Sequence, residues 1–338
     1  MTKTQIDLGH QNKCEVEWRM GRFKLKSKEK RVPVKSIRQE IKNNLFFYLL
    51  PLPGIIFLIL FNYVPMAGLY IVFEKYTYQG GLFGSEFVGL KNFEFFFKSI
   101  DNALRATRNT LIINGFSIVL GTVANVGIAI AINEIRNKWF RKVTQSVMLF
   151  PHFISWIVVG MISLTLFDEN KGLLNQFIQM LGGDAVSWYS NASLWWPILI
   201  LTSVWKGAGY GSLIYFGALT GFDQSLYEAA EIDGANRWQR IMRITIPLLK
   251  PTIILMFLLN IGGILFGSVD QIMGMTNLNP LLFETTDTIA TFVYRSAILN
   301  GQFESASAIT LYQSIFGFIL VMAANKLVKK FDPDYALF

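Results

Sequence analysis

The sequence predicts an all-α integral membrane protein with six spanning helices, and three observations carry that prediction. Hydrophobic residues make up 52% of the 338 positions and charged residues 16%. That is too few charges to cover the roughly two soluble domains that this length would otherwise suggest. Six windows reach the about 20 mostly apolar residues that a bilayer core requires. Basic residues concentrate on the segments that six spans place on one side. The 29 Phe exclude a disordered chain, and a single cysteine, Cys14, excludes a disulfide scaffold.

The elements follow in order. Residues 1–43 hold 12 of the 31 Lys+Arg, against the acids Asp7, Glu15, Glu17, Glu29 and Glu40. A basic excess just before an apolar run reads as a topology signal, not as a nucleic-acid surface. The tail is too long for a signal-peptide n-region and no small-residue cleavage site follows the run, so Leu45 onward is an uncleaved first span. The expected spans are 45–64, broken by Pro51 and Pro53; 110–132; 146–166, with Pro151 inside; the glycine-rich 196–222; 252–270; and 306–325. Met66–Phe73 is too short to span and continues the first helix beyond the membrane. Six spans put both termini on one side. With the tail go Arg136, Lys138, Arg141 and Lys142, then Arg237, Arg240, Arg243 and Lys250, then Lys326, Lys329 and Lys330. The other side has Lys75, Lys91, Lys98, Arg105, Arg108, Lys171 and Arg295. This asymmetry places the termini in the cytoplasm. The organisation is therefore a basic tail 1–43, a six-helix domain 44–330 in the cytoplasmic membrane, and a short tail 331–338.

No catalytic constellation is visible. His10 and His152 are the two histidines, and no HExxH, Cys/His metal spacing or GxxxxGK[ST] occurs. Asp168–Glu169 and Asp332/Asp334 fall in loops or tails. His152 follows Pro151 within a span, where a polar residue satisfies backbone freed by proline. Glycines at spacing four (Gly207/Gly211, Gly217/Gly221, Gly263/Gly267) indicate close helix packing.

The 223–250 loop is the informative segment. Ser225 and Glu228 have capping-box spacing. Ala229 and Ala230 favour helix, Gly234 suits a left-handed stop, and Asn236 suits a second cap. Trp238, Ile241, Met242 and Thr245 then share one face, Arg237, Arg240 and Arg243 another, and Pro247 is expected to end the helix. A cytoplasmic helix–turn–helix results, suited to docking a soluble partner or to lying at the membrane interface.

This loop resembles a known signature. Glu228-Ala229-Ala230, then Gly234, then Ile244-Thr245-Ile246-Pro247 follow the spacing of the EAA motif of permease subunits in binding-protein-dependent ABC importers, with Ile246 in place of Leu. Tyr63–Leu69, Val88–Phe93, Arg108–Thr110, Pro151–Trp156, Trp205-Lys206 and Tyr227–Gly234 resemble the carbohydrate, polysaccharide-type branch. The resemblance covers about 45–330.

It implies a type I importer permease with a cytoplasmic coupling helix. Glu228 would face a basic residue of an ATPase subunit, with Ala229 and Ala230 allowing close approach. Asp233 and Gly234 would make the turn, and Arg237 and Trp238 would hold the second helix against the permease body. The implied partners are two ATPase subunits, a second and homologous permease chain, an extracytoplasmic solute-binding protein and the lipid bilayer, with no nucleic acid. The chain itself would bind no cofactor; ATP and Mg would bind the ATPases, and the chain would not be an enzyme. Segments 74–106, 168–194 and 276–304 would meet the receptor.

The candidate substrate path is drawn from polar and aromatic residues within spans, which are costly unless they face a cavity or a neighbour. They are Trp205, Lys206, Tyr210 and Tyr215, with Asn114, Trp156, Asn260, Asp270, Gln271, Tyr312 and Gln313. Aromatic faces with amides and hydroxyls suit sugars, but buried interhelical hydrogen bonds use the same residue types, and both uses stay open. A permease for a non-sugar solute, an intramembrane enzyme and a scaffold are the competing classes.

Overall fold

Runs of apolar residues punctuated by Asn, Ser, Gly and Pro fold into helices, several of which begin at a side-chain cap. The computed structural model describes residues 44–338 except Leu82, Ser99, Asp334, Tyr335, Leu337 and Phe338; the basic tail 1–43 lies outside the described residues. The chain divides between Tyr63 and Val64 into two compact units. In the first, helices Leu45–Leu49 and Leu52–Leu58 lead into a wide π turn, Ile59–Tyr63, with the break between them at Pro51. The second opens with Val64–Met66 and the 3-10 helix Ala67–Phe73. A two-stranded antiparallel hairpin follows, β1 (Glu74–Lys75) and β2 (Glu86–Phe87). Asn92 ties it down by donating to the carbonyls of Val72 (2.9 Å) and Glu74 (2.8 Å).

The helices of the second unit are α1 (Lys91–Lys98), α2 (Ile100–Asn133), α3 (Lys138–Phe153), α4 (Trp156–Leu166), α5 (Leu173–Met180), α6 (Trp195–Thr220), α7 (Gln224–Ile232), α8 (Arg237–Gly262), α9 (Val269–Thr276), α10 (Ile289–Leu299) and α11 (Phe303–Phe331). Among the described residues, Leu45–Phe73, α2, α8 and α11 are long and apolar enough to cross a membrane, and α3 with α4 make a fifth candidate bent by 90°. At 26 residues α6 has the length, but Lys206 and the glycines at 207, 209, 211 and 217 dilute its apolarity.

Three expectations need correction. The span 146–166 is not one helix: Pro151 withholds a donor, and the chain turns at Ile154 and Ser155 before α4 begins. The span 252–270 ends at Gly262; Asp270 belongs to α9, which is capped separately by Ser268. Pro247 does not end the helix begun at Arg237. A π turn over Ile241–Thr245 precedes it and α8 continues to Gly262, so the proline's missing donor falls where the ladder is already wide.

Large apolar side chains remain exposed along α2 (Phe116, Val119, Val123), α4 (Ile157, Met161) and α11 (Phe318, Ile319). Lipid tails are as apolar as these residues, so association within the membrane depends on close packing and hydrogen bonds. α6 packs along α2 and α3, α4 along α9, and α8 along α11. The close approaches are made by Gly209, where a Cβ would overlap the Met148 carbonyl, by Gly160 against Gly274, and by Gly317 against Gly262. Of the glycines that the spacing-four pattern selects, Gly211 does leave room for a neighbour, the Asn125 side chain, but Gly207 and Gly217 have open space where a Cβ would stand, Gly263 caps α8, and Gly267 lies in the break before α9. At the end of the bundle near Ile100, the side chain of Asp287, 0% exposed, pairs with Arg105 (3.1 Å) and Arg295 (2.7 Å) and accepts from Thr291 (3.2 Å). A buried carboxylate needs this degree of compensation.

Candidate functional site

A polar cavity, a largely apolar cavity with a few polar groups, and one exposed loop carry the chemistry. The first cavity, about 360 Å³, lies between α2, α6 and α8. Asn114, Ser117, Gly121 and Asn125 fall at i, i+3, i+7 and i+11 on α2, one face of the helix. They meet Thr122, Ser203 and Gly207, and Asn260 of α8. Asn114 donates to the Ile264 carbonyl (2.7 Å) and Asn260 to the Met256 carbonyl of its own helix (2.8 Å). The Oγ of Ser117 and the Oδ1 of Asn125 are buried without a partner. Gly211 leaves the room that the Asn125 side chain occupies. The lining has amides and hydroxyls and no charged group.

The second cavity, about 820 Å³, sits at the elbow between α3 and α4 and includes His152, Ser155, Trp156, Lys206, Asp270 and Asn277. Lys206 donates to the carbonyls of His152 (2.6 Å) and Pro151 (3.4 Å), and its ammonium lies 5.4 Å from the centre of the Trp156 ring. Tyr210, one turn further along α6, stacks on His152 with ring centres 4.2 Å apart and planes 7° from parallel.

Of the path residues expected from sequence, Asn114 and Asn260 share the first cavity, and Trp156, Lys206 and Asp270 the second, with Tyr210 beside it on His152. The others are placed differently. Trp205 is half exposed and lines neither cavity. Tyr215 is packed with Ala129, Leu219 and Leu249. Gln271 donates to the Leu199 carbonyl (2.7 Å), Gln313 donates to the Leu265 carbonyl, and Tyr312 lies against Phe316. Sequence reasoning missed Ser117, Asn125 and Ser203, although the helical period of polar positions within an apolar span was a usable signal. It also gave His152 no place in a cavity.

The loop forms α7, a turn and the start of α8. Its first cap is Asp223, which accepts from Ser225 N (2.9 Å), not the Ser225–Glu228 box expected. That bond holds the Asp223 carboxyl below the usual carboxylate range. Asp233 follows the last turn of α7 and Gly234 adopts φ +79°, a conformation that glycine takes without steric cost. Asn236 and Gln239 form a reciprocal capping box at the second helix. Glu231 pairs with Arg240 at 2.7 Å and Tyr227 meets Thr245 at 3.2 Å, so α7 is fastened to α8. Glu228, Ala229 and Arg237 are exposed and Ala230 is half-buried. Trp238 is 65% exposed and borders an apolar groove with Val126 and Ile130 of α2. What α7 offers to solvent is a short, rigidly held helix with Leu226, Glu228, Ala229 and Ile232 outward.

Long apolar helices, a polar cavity between them and a fastened helix pair at the 223–250 loop are the features of a helical membrane protein with an internal polar path. Residues 117–333 match the family described as the binding-protein-dependent transport system inner membrane component, and the chain belongs to that family. It is 36% identical over 312 residues to the polygalacturonan/rhamnogalacturonan transport system permease protein YteP of Bacillus subtilis (91% of this chain, 94% of that protein). It is 35% identical over 294 residues to protein LplB of the same organism (87% and 92%). A chain of the bacterial alginate ABC transporter, crystallised with an alginate pentasaccharide-bound periplasmic protein, superposes with a TM-score of 0.77 at 31% identity, covering 88% of this chain and 98% of that one. The chain is thus a transmembrane permease subunit with the type I ABC importer fold.

Proposed function

We propose that the chain forms the path for an oligo- or polysaccharide delivered by an extracytoplasmic solute-binding protein. The cavity between α2, α6 and α8 carries this reading. It is polar and uncharged, it lies between helices of which α2 and α8 are long and apolar enough to cross a membrane, and two of its buried polar atoms have no partner. Unsatisfied polar groups in hydrocarbon are expensive and mark functional positions. Sugar hydroxyls, each both donor and acceptor, satisfy amides and hydroxyls equally well. The similar proteins named above for polygalacturonan/rhamnogalacturonan and for alginate support the same cargo class.

In this reading a second, homologous permease completes the path, and two ATPase subunits bind ATP and Mg; this chain holds no cofactor. α7 docks on an ATPase subunit through Glu228, Ala229 and Ala230, while Asp233, Gly234, Arg237, Trp238 and Pro247 set the turn and the second helix. The basic loops and termini face the cytoplasm.

The test is ATP hydrolysis by the complete complex in proteoliposomes, with receptors loaded with uronate oligosaccharides, neutral oligosaccharides or glycerol phosphate. Saccharide-loaded receptor should stimulate hydrolysis, and Glu228→Lys should abolish that stimulation while leaving the permease in the membrane. Stimulation by glycerol phosphate alone would replace the cargo class and keep the importer.

A further inference from the structure

We infer that Lys206 is a positioning residue that latches the elbow between α3 and α4, and not a ligand for cargo. The inference rests on the transport reading above only for its functional consequence. A helix that ends within an apolar span leaves carbonyls without intrahelical partners, and each needs a donor from the protein or from a cavity it lines. At the elbow the Pro151 carbonyl accepts from Ile154 N (3.2 Å). The ammonium of Lys206 reaches the carbonyls of both Pro151 and His152. A cation at a helix C-terminus also meets the negative end of the helix dipole. On the far side of the bend, Ser155 caps α4 by accepting from Val158 N.

The position of Lys206 makes this more than a local cap. Gly209 seats α6 directly on the α3 backbone, and Tyr210 stacks on His152, so α3 and α6 move as one body. Gly160 and Gly274 lock α4 to α9 in the same way. Residues 154 and 155 are the covalent joint between these two pairs. Lys206 belongs to the first pair, bonds the end of α3, and lies over Trp156, the first residue of α4. One side chain therefore bridges the joint without a covalent bond. Two of its three protons are committed there, and the Asp270 carboxylate in the same cavity disfavours an anionic cargo group.

Removing the latch should let the elbow sample other angles and let hydrolysis proceed without receptor. The experiment uses the complete complex with Cys14→Ser and spin labels at Phe150 on α3 and Met161 on α4, both exposed positions on either side of the bend. Unmodified Lys206 should give one narrow label-to-label distance. Lys206→Met should broaden it and raise receptor-independent ATP hydrolysis on the order of tenfold, as losing one charged hydrogen bond shifts a two-state balance. The saccharide concentration for half-maximal stimulation should stay unchanged. Lys206→Arg, which keeps the donors, should restore the narrow distance, and Lys206→Gln substitutes if the Met variant does not assemble. An unchanged distance in Lys206→Met overturns the latch. An unchanged distance with a tenfold weaker saccharide response would make Lys206 a cargo ligand instead. If no saccharide stimulates even the parent complex, the cargo assignment fails while the distance measurement still decides the latch.

Discussion

Both cavities hold polar side chains within the helical bundle, but the protein satisfies those side chains to different degrees. Between α2, α6 and α8, Ser117 and Asn125 present polar atoms with nothing to bond. At the elbow, the ammonium of Lys206 is engaged by the end of α3, Ser155 caps α4, and the ring of His152 is covered by Tyr210. The backbones differ too. Glycines at the elbow touch the neighbouring main chain, whereas Gly207 and Gly121, which line the first cavity, have no atom within 4 Å of a built Cβ. An in-membrane polar group is thus not by itself a cargo contact. What sets Ser117 and Asn125 apart from the elbow is that the protein has not already satisfied their polar atoms.

The largest effect should come from the glycines. A Cβ at Gly160 would overlap the Gly274 carbonyl, and one at Gly209 the Met148 carbonyl; both obstacles are backbone and cannot rotate away. Gly160→Ala and Gly209→Ala should each cost at or above the about 3 kcal/mol that ordinary overpacking reaches, read as loss of folded permease from the membrane. Gly207→Ala, on the open cavity, should leave the yield intact or raise it, since Ala is favoured over Gly in a helix by about 1 kcal/mol. Equal losses at all three positions would erase the distinction between the regions.

Next in size are the amides. Asn125→Ala should raise the saccharide concentration for half-maximal ATPase stimulation by roughly two- to tenfold, the value of one net hydrogen bond. Maximal hydrolysis and expression should hold. Gln271→Ala and Gln313→Ala remove amides that bond the Leu199 and Leu265 carbonyls. They should do the reverse, lowering thermal stability and leaving half-saturation unchanged.

These contrasts show what the sequence could and could not say. Apolar run length and the placement of Lys and Arg were enough for a helical membrane protein, and the 228–247 spacing was enough for the family. Gly234 and Asn236 announced the turn and second cap of the loop because both act locally. The elbow was not legible, because Pro151 within an apolar run is compatible with either a kink or a full break. The partner that meets the end of α3, Lys206, stands 54 positions from His152, beyond the reach of local pattern reading. The cargo list mixed two kinds of residue for the same reason. Tyr215 and Asn114 look alike as polar groups in spans, and only the fold places one in a core cluster and the other on a cavity wall. Pairing glycines at spacing four found Gly211, which makes room for Asn125, but not the backbone contacts, which are made by single glycines opposite a neighbour's main chain, such as Gly209 opposite Met148.

The finest test of the comparison removes one hydroxyl from each region. Ser155 accepts from Val158 N at 3.3 Å and caps α4, so Ser155→Ala should cost about 0.5–2 kcal/mol, seen as a lower unfolding temperature in detergent. Ser117 Oγ is buried with no partner, so its desolvation is an uncompensated cost in the empty permease. Ser117→Ala should therefore be neutral or slightly stabilising without cargo. The same substitution should weaken the saccharide response by a few-fold at most, because the hydroxyl is then missing where a sugar hydroxyl would have met it. The two serines thus move stability in opposite directions, and cargo response should follow only the second. If Ser117→Ala lowered the unfolding temperature as Ser155→Ala does, the hydroxyl would have a structural partner in the assembled protein, and the first cavity would be packing like the second.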